Sequence, residues 1–305
     1  MYLFHKRRES IMNTKESKTV VVIGAGVLST TFSSMLKELE PSWNIKLYER
    51  LDRPGIESSN ERHNAGTGHA ALYELNYTVR KPDGSMKDFP MFDNIEYTED
   101  IEEMRKWVPL MMEGHSSSDI MAASKINEGT DVNFGELTRK MAKNIEQHPN
   151  ANVQYNHEVI DFNHRKDGKW EVKVRQRNSG DVQTELADYV FIGAGGGAIP
   201  LLQKTGIPES KNLGGFPITG QFLICTNPDT IAKHDAKVYG KEPKGTPPMT
   251  VPHLDTRYID GERTLLFGPF ASVGPKFLKN GSNLDLFKSI KPYNITTLLS
   301  SAVKN

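Results

Sequence analysis

The sequence predicts an α/β fold with a parallel sheet at its centre, and three stretches predict it. Thr19–Ile23 (TVVVI) is a β-branched run with no polar interruption, which suits a strand buried on both faces. A glycine turn and a helical pattern follow it at once, and Asn44–Tyr48 (NIKLY) then reads as a second strand. Ala187–Ile192 (ADYVFI) repeats the opening theme, running into Gly193-Ala194-Gly195-Gly196-Gly197-Ala198.

The first residues, MYLFHKRRESIMNTKESK, are basic, with no apolar segment behind them to serve as a signal-peptide core. Residues 1–17 are therefore expected to form a disordered lead. After the first strand come Gly24-Ala25-Gly26-Val27-Leu28-Ser29 and a helix over Val27–Leu39, with Leu28, Phe32, Met35, Leu36 and Leu39 spaced for one apolar face. Gly24 permits the tight turn, and Gly26 lets the backbone approach a pyrophosphate without a Cβ clash. The helix start offers N–H groups and a positive dipole end to that anion. Ser29 stands where a third glycine would, small enough for close helix–strand packing. Glu49, at the carboxyl end of the second strand, can accept hydrogen bonds from ribose hydroxyls. Strand, turn, helix, strand and acid in this order predict dinucleotide binding.

Further along, the polar loop from Ser58 to His69 (SSNERHNAGTGH) has the small side chains that suit a backbone lying along a cofactor, although a solvated surface loop has the same composition. Asp131–Lys143 reads as a helix with Phe134, Leu137, Met141 and Ala142 on one face, and Val153–Phe162 as the next strand. Lys169–Val174 alternates apolar and polar residues, predicting an antiparallel ribbon with Asp181–Ala187 that crosses the parallel sheet. The glycine turn after Ile192 lacks a full crossover helix and a following strand ending in an acid. That favours one FAD touched from several segments over a separate NAD site.

Composition narrows the classes. Lys+Arg and Asp+Glu are both 38, so no global charge draws the chain to nucleic acid or anionic lipid. Cys225 is the single cysteine, and the histidines show neither HxH nor HxxxH spacing, so neither an intrachain disulfide nor a metal site is expected. No apolar run approaches the roughly 18 residues that span a bilayer, so membrane contact is expected to be peripheral.

Together these segments resemble malate:quinone oxidoreductase, a family of flavoproteins in the amino-acid-oxidase-like FAD superfamily. The resemblance is carried by VVVIGAGVLSTTFSSMLKELEP (20–41), YERLDRPGIESSNERHNAGTGHAALYELNYT (48–78), EGTDVNFGELTRKM (128–141), DYVFIGAGGGAIPLLQKTGIPES (188–210) and VPHLDTRYIDGERTLLFGPFASVGPKFLKNGS (251–282). It implies a discontinuous Rossmann-like FAD-binding domain over 18–80 and 128–210, and a substrate domain of antiparallel strands over 81–127 and 211–305. Gly24, Gly26, Ser29, Glu49, Arg50, Ser59, Asn64, Gly66, Thr67, Gly68, Gly193 and Gly195 would face FAD, with Val159 offering backbone hydrogen bonds near the adenine. Family chains are longer, with more residues between Val79 and Phe89 and a further FAD-closing segment at the C-terminal end. The expectation is a truncated chain that holds FAD weakly or not at all and exposes apolar surface at Phe89, Met91, Phe92 and Ile295–Val303.

The resemblance also implies the chemistry: (S)-malate oxidised to oxaloacetate in the tricarboxylic acid cycle, with electrons passed to a quinone at the inner face of the cytoplasmic membrane. In Val251–Tyr258, His253, Asp255 and Arg257 share a face of an extended strand ahead of Gly268-Pro269. Arginine grips carboxylates, so Arg257 is expected to bind malate; histidine titrates near neutrality, so His253 is expected to take the hydroxyl proton, with His69 next in line. Another 2-hydroxy acid such as 2-hydroxyglutarate is an alternative substrate, and an inactive truncated chain is an alternative reading.

Overall fold

The computed structural model describes residues 17–68, 94–240 and 251–304. Most of the expected lead, His69 and the junction at 81–86 lie outside them. In chain order the elements begin β1 (Thr19–Ile23), α1 (Val27–Leu39), β2 (Asn44–Tyr48), β3 (Glu96–Thr98), α2 (Ile101–Trp107) and β4 (Ala123–Lys125). There follow α3 (Phe134–Glu146), β5 (Ala151–Gln154), β6 (His157–His164), β7 (Trp170–Gln176), β8 (Val182–Ala187), β9 (Tyr189–Ile192) and α4 (Ala198–Lys204). The rest are β10 (Ile218–Cys225), α5 (Pro228–Ile231), β11 (Lys237–Val238), β12 (His253–Ile259), β13 (Glu262–Val273), α6 (Asp285–Ser289) and α7 (Ile295–Lys304).

The chain divides into two compact units. The first holds the described residues of Met1–Asn60, Gly135–Pro217 and Pro275–Val303, and the second those of Glu61–Phe134, Ile218–Gly274 and Lys304–Asn305. The units divide after residues 60, 134 and 217, where the sequence suggests divisions after 80, 127 and 210, and the 275–303 segment returns to the first unit. Side chains explain the return: the Glu57 carboxylate accepts from the backbone N–H groups of Lys279 and Asn280, and Arg50 donates to the Asn280 carbonyl.

In the first unit, strands run β5-β2-β1-β9, all parallel. Alternation along β1 explains its unbroken apolar run. Val20 and Val22 pack with Ile45, Leu47, Phe32 and Leu36 on one face, while Val21 and Ile23 pack with Val159, Phe162, Val172 and Val174 on the other. That second face is covered by the antiparallel meander β6-β7-β8, where the sequence predicts a two-stranded ribbon. The strand predicted over Val153–Phe162 is in fact two. Asn156 adopts a left-handed conformation (φ 57°) that asparagine tolerates, turning the chain from the parallel sheet into the meander.

Helix α1 has the predicted bounds, but only part of the predicted face packs inward, through Phe32 and Leu36. Ser29, Thr30, Ser33 and Lys37 are buried, whereas Leu28, Met35 and Leu39 are 63%, 59% and 73% exposed. Small hydroxyl residues permit close approach and find local partners: Ser29 donates to the Ile23 or Gly193 carbonyl, and Thr30 and Thr31 lie against Met141 Sδ. Helix α3 starts later than predicted because Asp131 is held outside it, bridged in antiparallel fashion to Thr67. Part of the Ile295–Val303 run finds a partner, since the buried Leu298 packs where a Cβ on Gly214 would be.

In the second unit, the sheet runs β10-β13-β12-β11, antiparallel throughout, beside the small pair β3-β4. Its β12–β13 hairpin closes on Asp260-Gly261, with φ of 55° and 83° and Ile259 opposite Glu262. This is the tight turn that an Asp-Gly pair favours. Gly268-Pro269, expected to end the strand as a turn, lies inside β13.

Candidate functional site

The first unit carries a cavity of about 900 Å³ at the carboxyl ends of β1, β2 and β9, within the range of cofactor sites. Gly24, Gly26, Glu49, Arg50, Ser59, Val159, Gly193 and Gly195 all line it. The two glycine turns are built against each other. Gly24 has φ 87°, and a Cβ there would stand 2.8 Å from the Gly193 carbonyl oxygen. A Cβ on Gly193 would in turn collide with Ser29 Oγ, so Ser29 sits behind the turn and shapes it from below. Gly26 is the extended N-cap of α1, and Ser59 Oγ accepts the Val27 N–H at 2.9 Å. Val159 buries its side chain in the core, and the following residue forms a bulge in the β6–β7 ladder, on the edge strand of the meander.

Glu49 ties these parts together. Its carboxylate accepts from the Ala25 N–H at 2.6 Å and the Leu51 N–H at 2.9 Å, joining the glycine turn to the end of β2. Burial pushes its carboxyl above the usual range, opposed by those two hydrogen bonds. Each oxygen keeps a lone pair for a hydroxyl donor. Sequence reasoning did not identify Arg175, Phe277, Lys288, Lys291 or Tyr293, which also line the cavity. Nothing in the local spacing marks them, because they arrive from the meander and from the returning C-terminal segment.

The second unit gathers a buried polar cluster around β12. His253, Asp255 and Arg257 share the inward face, as the period of two predicts, and are 4%, 0% and 1% exposed. His253 Nδ1 lies 2.6 Å from Asp255 Oδ2. The imidazole stacks on Tyr239 at 4.7 Å between ring centres and meets Phe222 edge-on at 5.7 Å. Tyr239 and Thr67 share a hydroxyl hydrogen bond of 2.6 Å.

Arg257 faces protein groups on three sides. Its Nε is 2.7 Å from Asp131 Oδ1, an ion pair off the N–H axis rather than a straight hydrogen bond. Its Nη atoms donate to the carbonyls of Asn64 and Glu61. Gly66, with φ 59°, lies where any Cβ would strike the guanidinium, and its N–H donates to Asn64 Oδ1. Gly68 N–H donates to the Thr130 carbonyl. This geometry sets the Arg257 guanidinium against the loop holding Asn64, Gly66, Thr67 and Gly68. Asp131 also takes Lys237 Nζ at 2.8 Å on Oδ1 and the Tyr258 N–H at 2.8 Å on Oδ2. Burial pushes the Lys237 ammonium down, against its hydrogen bond to Asp131. Asp131 and Lys237 were missed in the sequence because their partners are remote in the chain.

Comparison with known proteins follows the same lines. The family model for malate:quinone oxidoreductase matches residues 16–89 and 84–305. A probable malate:quinone oxidoreductase 2 of Staphylococcus epidermidis is 71% identical over 354 residues, covering 96% of this chain and 71% of that protein. A probable malate:quinone oxidoreductase 2 of Staphylococcus aureus is 64% identical over 355 residues, with the same shares covered. The aligned lengths exceed the 305 residues of this chain, and the two matched parts of the family model meet near residues 84–89, so the relatives carry internal residues without a counterpart here. Among solved structures, the FAD-bound L-alpha-glycerophosphate oxidase of Mycoplasma pneumoniae superposes with a TM-score of 0.55 at 16% identity, covering 92% of this chain and 81% of that one. The glycerol-3-phosphate dehydrogenase of Bacillus halodurans, complexed with FAD, gives 0.52 at 14% identity, covering 88% and 50%. Identities this low speak to the fold, which is the α/β architecture with parallel and antiparallel sheets expected from the sequence.

Proposed function

This chain belongs to the malate:quinone oxidoreductase family, and from that premise we propose that it oxidises (S)-malate to oxaloacetate with FAD and passes the electrons to a membrane quinone, a step of the tricarboxylic acid cycle. The observation that carries the reading is the cavity at the ends of β1, β2 and β9, where two glycine turns, a helix start and a buried acid converge. The residues fit the group. Gly24 and Gly26 would let backbone approach the pyrophosphate, and the start of α1 would face it with its positive dipole end. Glu49 would accept the ribose hydroxyls on its remaining lone pairs, and the edge strand β6 at Val159 would meet the adenine.

Bound FAD supplies a two-electron acceptor for the hydride that leaves malate C2. The chain's own residues must accept the hydroxyl proton and hold the substrate. His253 is the proposed base, since an imidazole with one ring nitrogen on a carboxylate offers the other as an acceptor. Arg257 is the proposed positioning residue for the 61–68 loop, through Asp131, Asn64 and Glu61. Quinones dissolve in lipid, so electron delivery is proposed at the inner face of the cytoplasmic membrane through a peripheral contact. Among the described residues no helix is long and apolar enough to cross a bilayer.

Two measurements test this reading. FAD added to the purified chain should lose free-flavin fluorescence on binding, and Gly24→Val, which fills the space against Gly193, should abolish the quenching. Malate should then bleach the flavin absorbance faster than 2-hydroxyglutarate does. A chain that leaves flavin fluorescence unchanged, or a flavin that malate does not bleach, would overturn the proposal.

A further inference from the structure

We infer that Asp255 is a positioning residue that fixes the tautomer of His253, so that Nε2 is the nitrogen that accepts a substrate proton. The inference rests on the proposed role of His253 and goes beyond it by naming the group that prepares the base.

The geometry is specific. Asp255 Oδ2 sits 2.6 Å from His253 Nδ1, and the two residues are two apart on one face of β12. An ionised carboxylate can only accept, so Nδ1 carries the proton and Nε2 presents its lone pair. The pair is held on every side that the structure describes. Phe222 from β10 and the Tyr239 ring pack on the imidazole, and Leu254 and Thr256 keep the strand in its ladder opposite Phe267 and Leu265. With Asp255 fully buried, its charge acts on the imidazole with little screening by water.

The charged groups nearby sharpen the argument. Lys237 on β11 is the register partner of Asp255, but its ammonium is turned to Asp131 and to the Ala65 carbonyl at 2.8 and 2.9 Å. Arg257, next on the same face, is likewise committed to Asp131. Both cations make their close contacts with Asp131, while Lys237 and the buried His234 still feel the Asp255 charge at longer range. Asp255 Oδ1 is buried and has no hydrogen-bond partner, so the carboxylate has His253 as its hydrogen-bonded side-chain partner. When His253 takes the substrate proton at Nε2, the resulting imidazolium lies beside a compensating anion. The proton moves from the hydroxyl oxygen to Nε2, and the hydride leaves separately with its electron pair, so the step balances.

The test uses the full chain uniformly labelled with ¹⁵N-histidine, with the His253 signal assigned by its loss in His253→Gln. Long-range ¹⁵N–¹H spectra above the titration should show His253 with its proton on Nδ1. In Asp255→Asn the amide can donate to Nδ1 instead, which flips the proton to Nε2. Malate-dependent bleaching should fall about 10²–10⁴-fold in Asp255→Asn, as expected for a base held in the wrong tautomer, while flavin binding is unchanged. A wild-type His253 with its proton on Nε2 would overturn the inference whether or not Asp255→Asn folds. So would an Asp255→Asn protein of unchanged tautomer and rate whose His253→Gln counterpart is inactive. Full activity in His253→Gln would instead remove the base assignment itself.

Discussion

Replacing Asp131 by asparagine is expected to cost the second unit about 3 kcal/mol, the low end of the range for breaking a buried ion pair. One carboxylate serves three donors. Oδ1 lies 2.7 Å from Arg257 Nε and 2.8 Å from Lys237 Nζ, and Oδ2 accepts the Tyr258 N–H at 2.8 Å. The side chains of Arg257, Asp131 and Lys237 are 1%, 10% and 15% exposed, so water cannot replace what is lost. An amide offers one oxygen and one NH₂, so whichever way it turns, a donor faces a donor. Lys237 can relieve part of the strain by shedding its proton, because burial already pushes its ammonium down. Arg257 cannot, since a guanidinium stays charged in proteins. That difference is why the lower end of the range applies. Urea unfolding followed by circular dichroism should show the midpoint falling with little change in slope. Limited proteolysis should open new cuts within residues 61–68, the loop that Arg257 holds. Arg257→Lys separates the two readings of the arginine: the clamp predicts lost stability, whereas a substrate ligand predicts a raised KM at unchanged stability. An Asp131→Asn protein within about 0.5 kcal/mol of wild type, the ordinary scatter of surface changes, would refute the clamp.

Three further outcomes follow from the same contacts. Burial raises the folded-state pKa of Glu49 above its ordinary 4.5, so the folded chain binds the extra proton and stability falls as pH climbs from about that value through the raised one; urea midpoints across mildly acidic pH should show this slope shrink in Glu49→Gln, and an unchanged slope would acquit Glu49. Gly66→Ala puts a Cβ against the Arg257 guanidinium at a φ of 59°, and thermal melts should show a loss of about 1–3 kcal/mol; a neutral melt would mean the loop moves freely. Ser59→Ala removes the acceptor of the Val27 N–H and should cost about 0.5–2 kcal/mol, as other lost N-caps do, measured by the same melts, with an unchanged melting temperature counting against the cap.

Local periodicity carried far into this fold. The bounds of β1, α1 and β2 could be read directly, because β-branched residues favour extended backbone and a glycine turn between strand and helix has few other uses. The two glycine turns that line the cavity were also legible, since tight strand-to-helix turns announce themselves by glycine spacing, whereas lining residues such as Arg175 and Phe277 were not. The shared face of His253, Asp255 and Arg257 followed from the pleat of a strand. These properties depend on residues within a few positions of one another.

What the sequence by itself determined, then, was which backbone segments form and which way neighbouring side chains point. The tertiary structure alone decided what each side chain meets. Helix α1 shows this for packing: of the five apolar residues spaced for one face, Phe32 and Leu36 pack on the sheet while Leu28, Met35 and Leu39 are exposed, and Ser29, Thr30 and Ser33 are buried. Arg257 shows it for chemistry. A guanidinium on a strand looks the same in sequence whatever it faces, and only folding brings Asp131, Asn64 and Glu61 against it. Pairing energies act across space and fall off within a few ångströms, so a partner more than a hundred residues away leaves no trace in local spacing until the chain has folded.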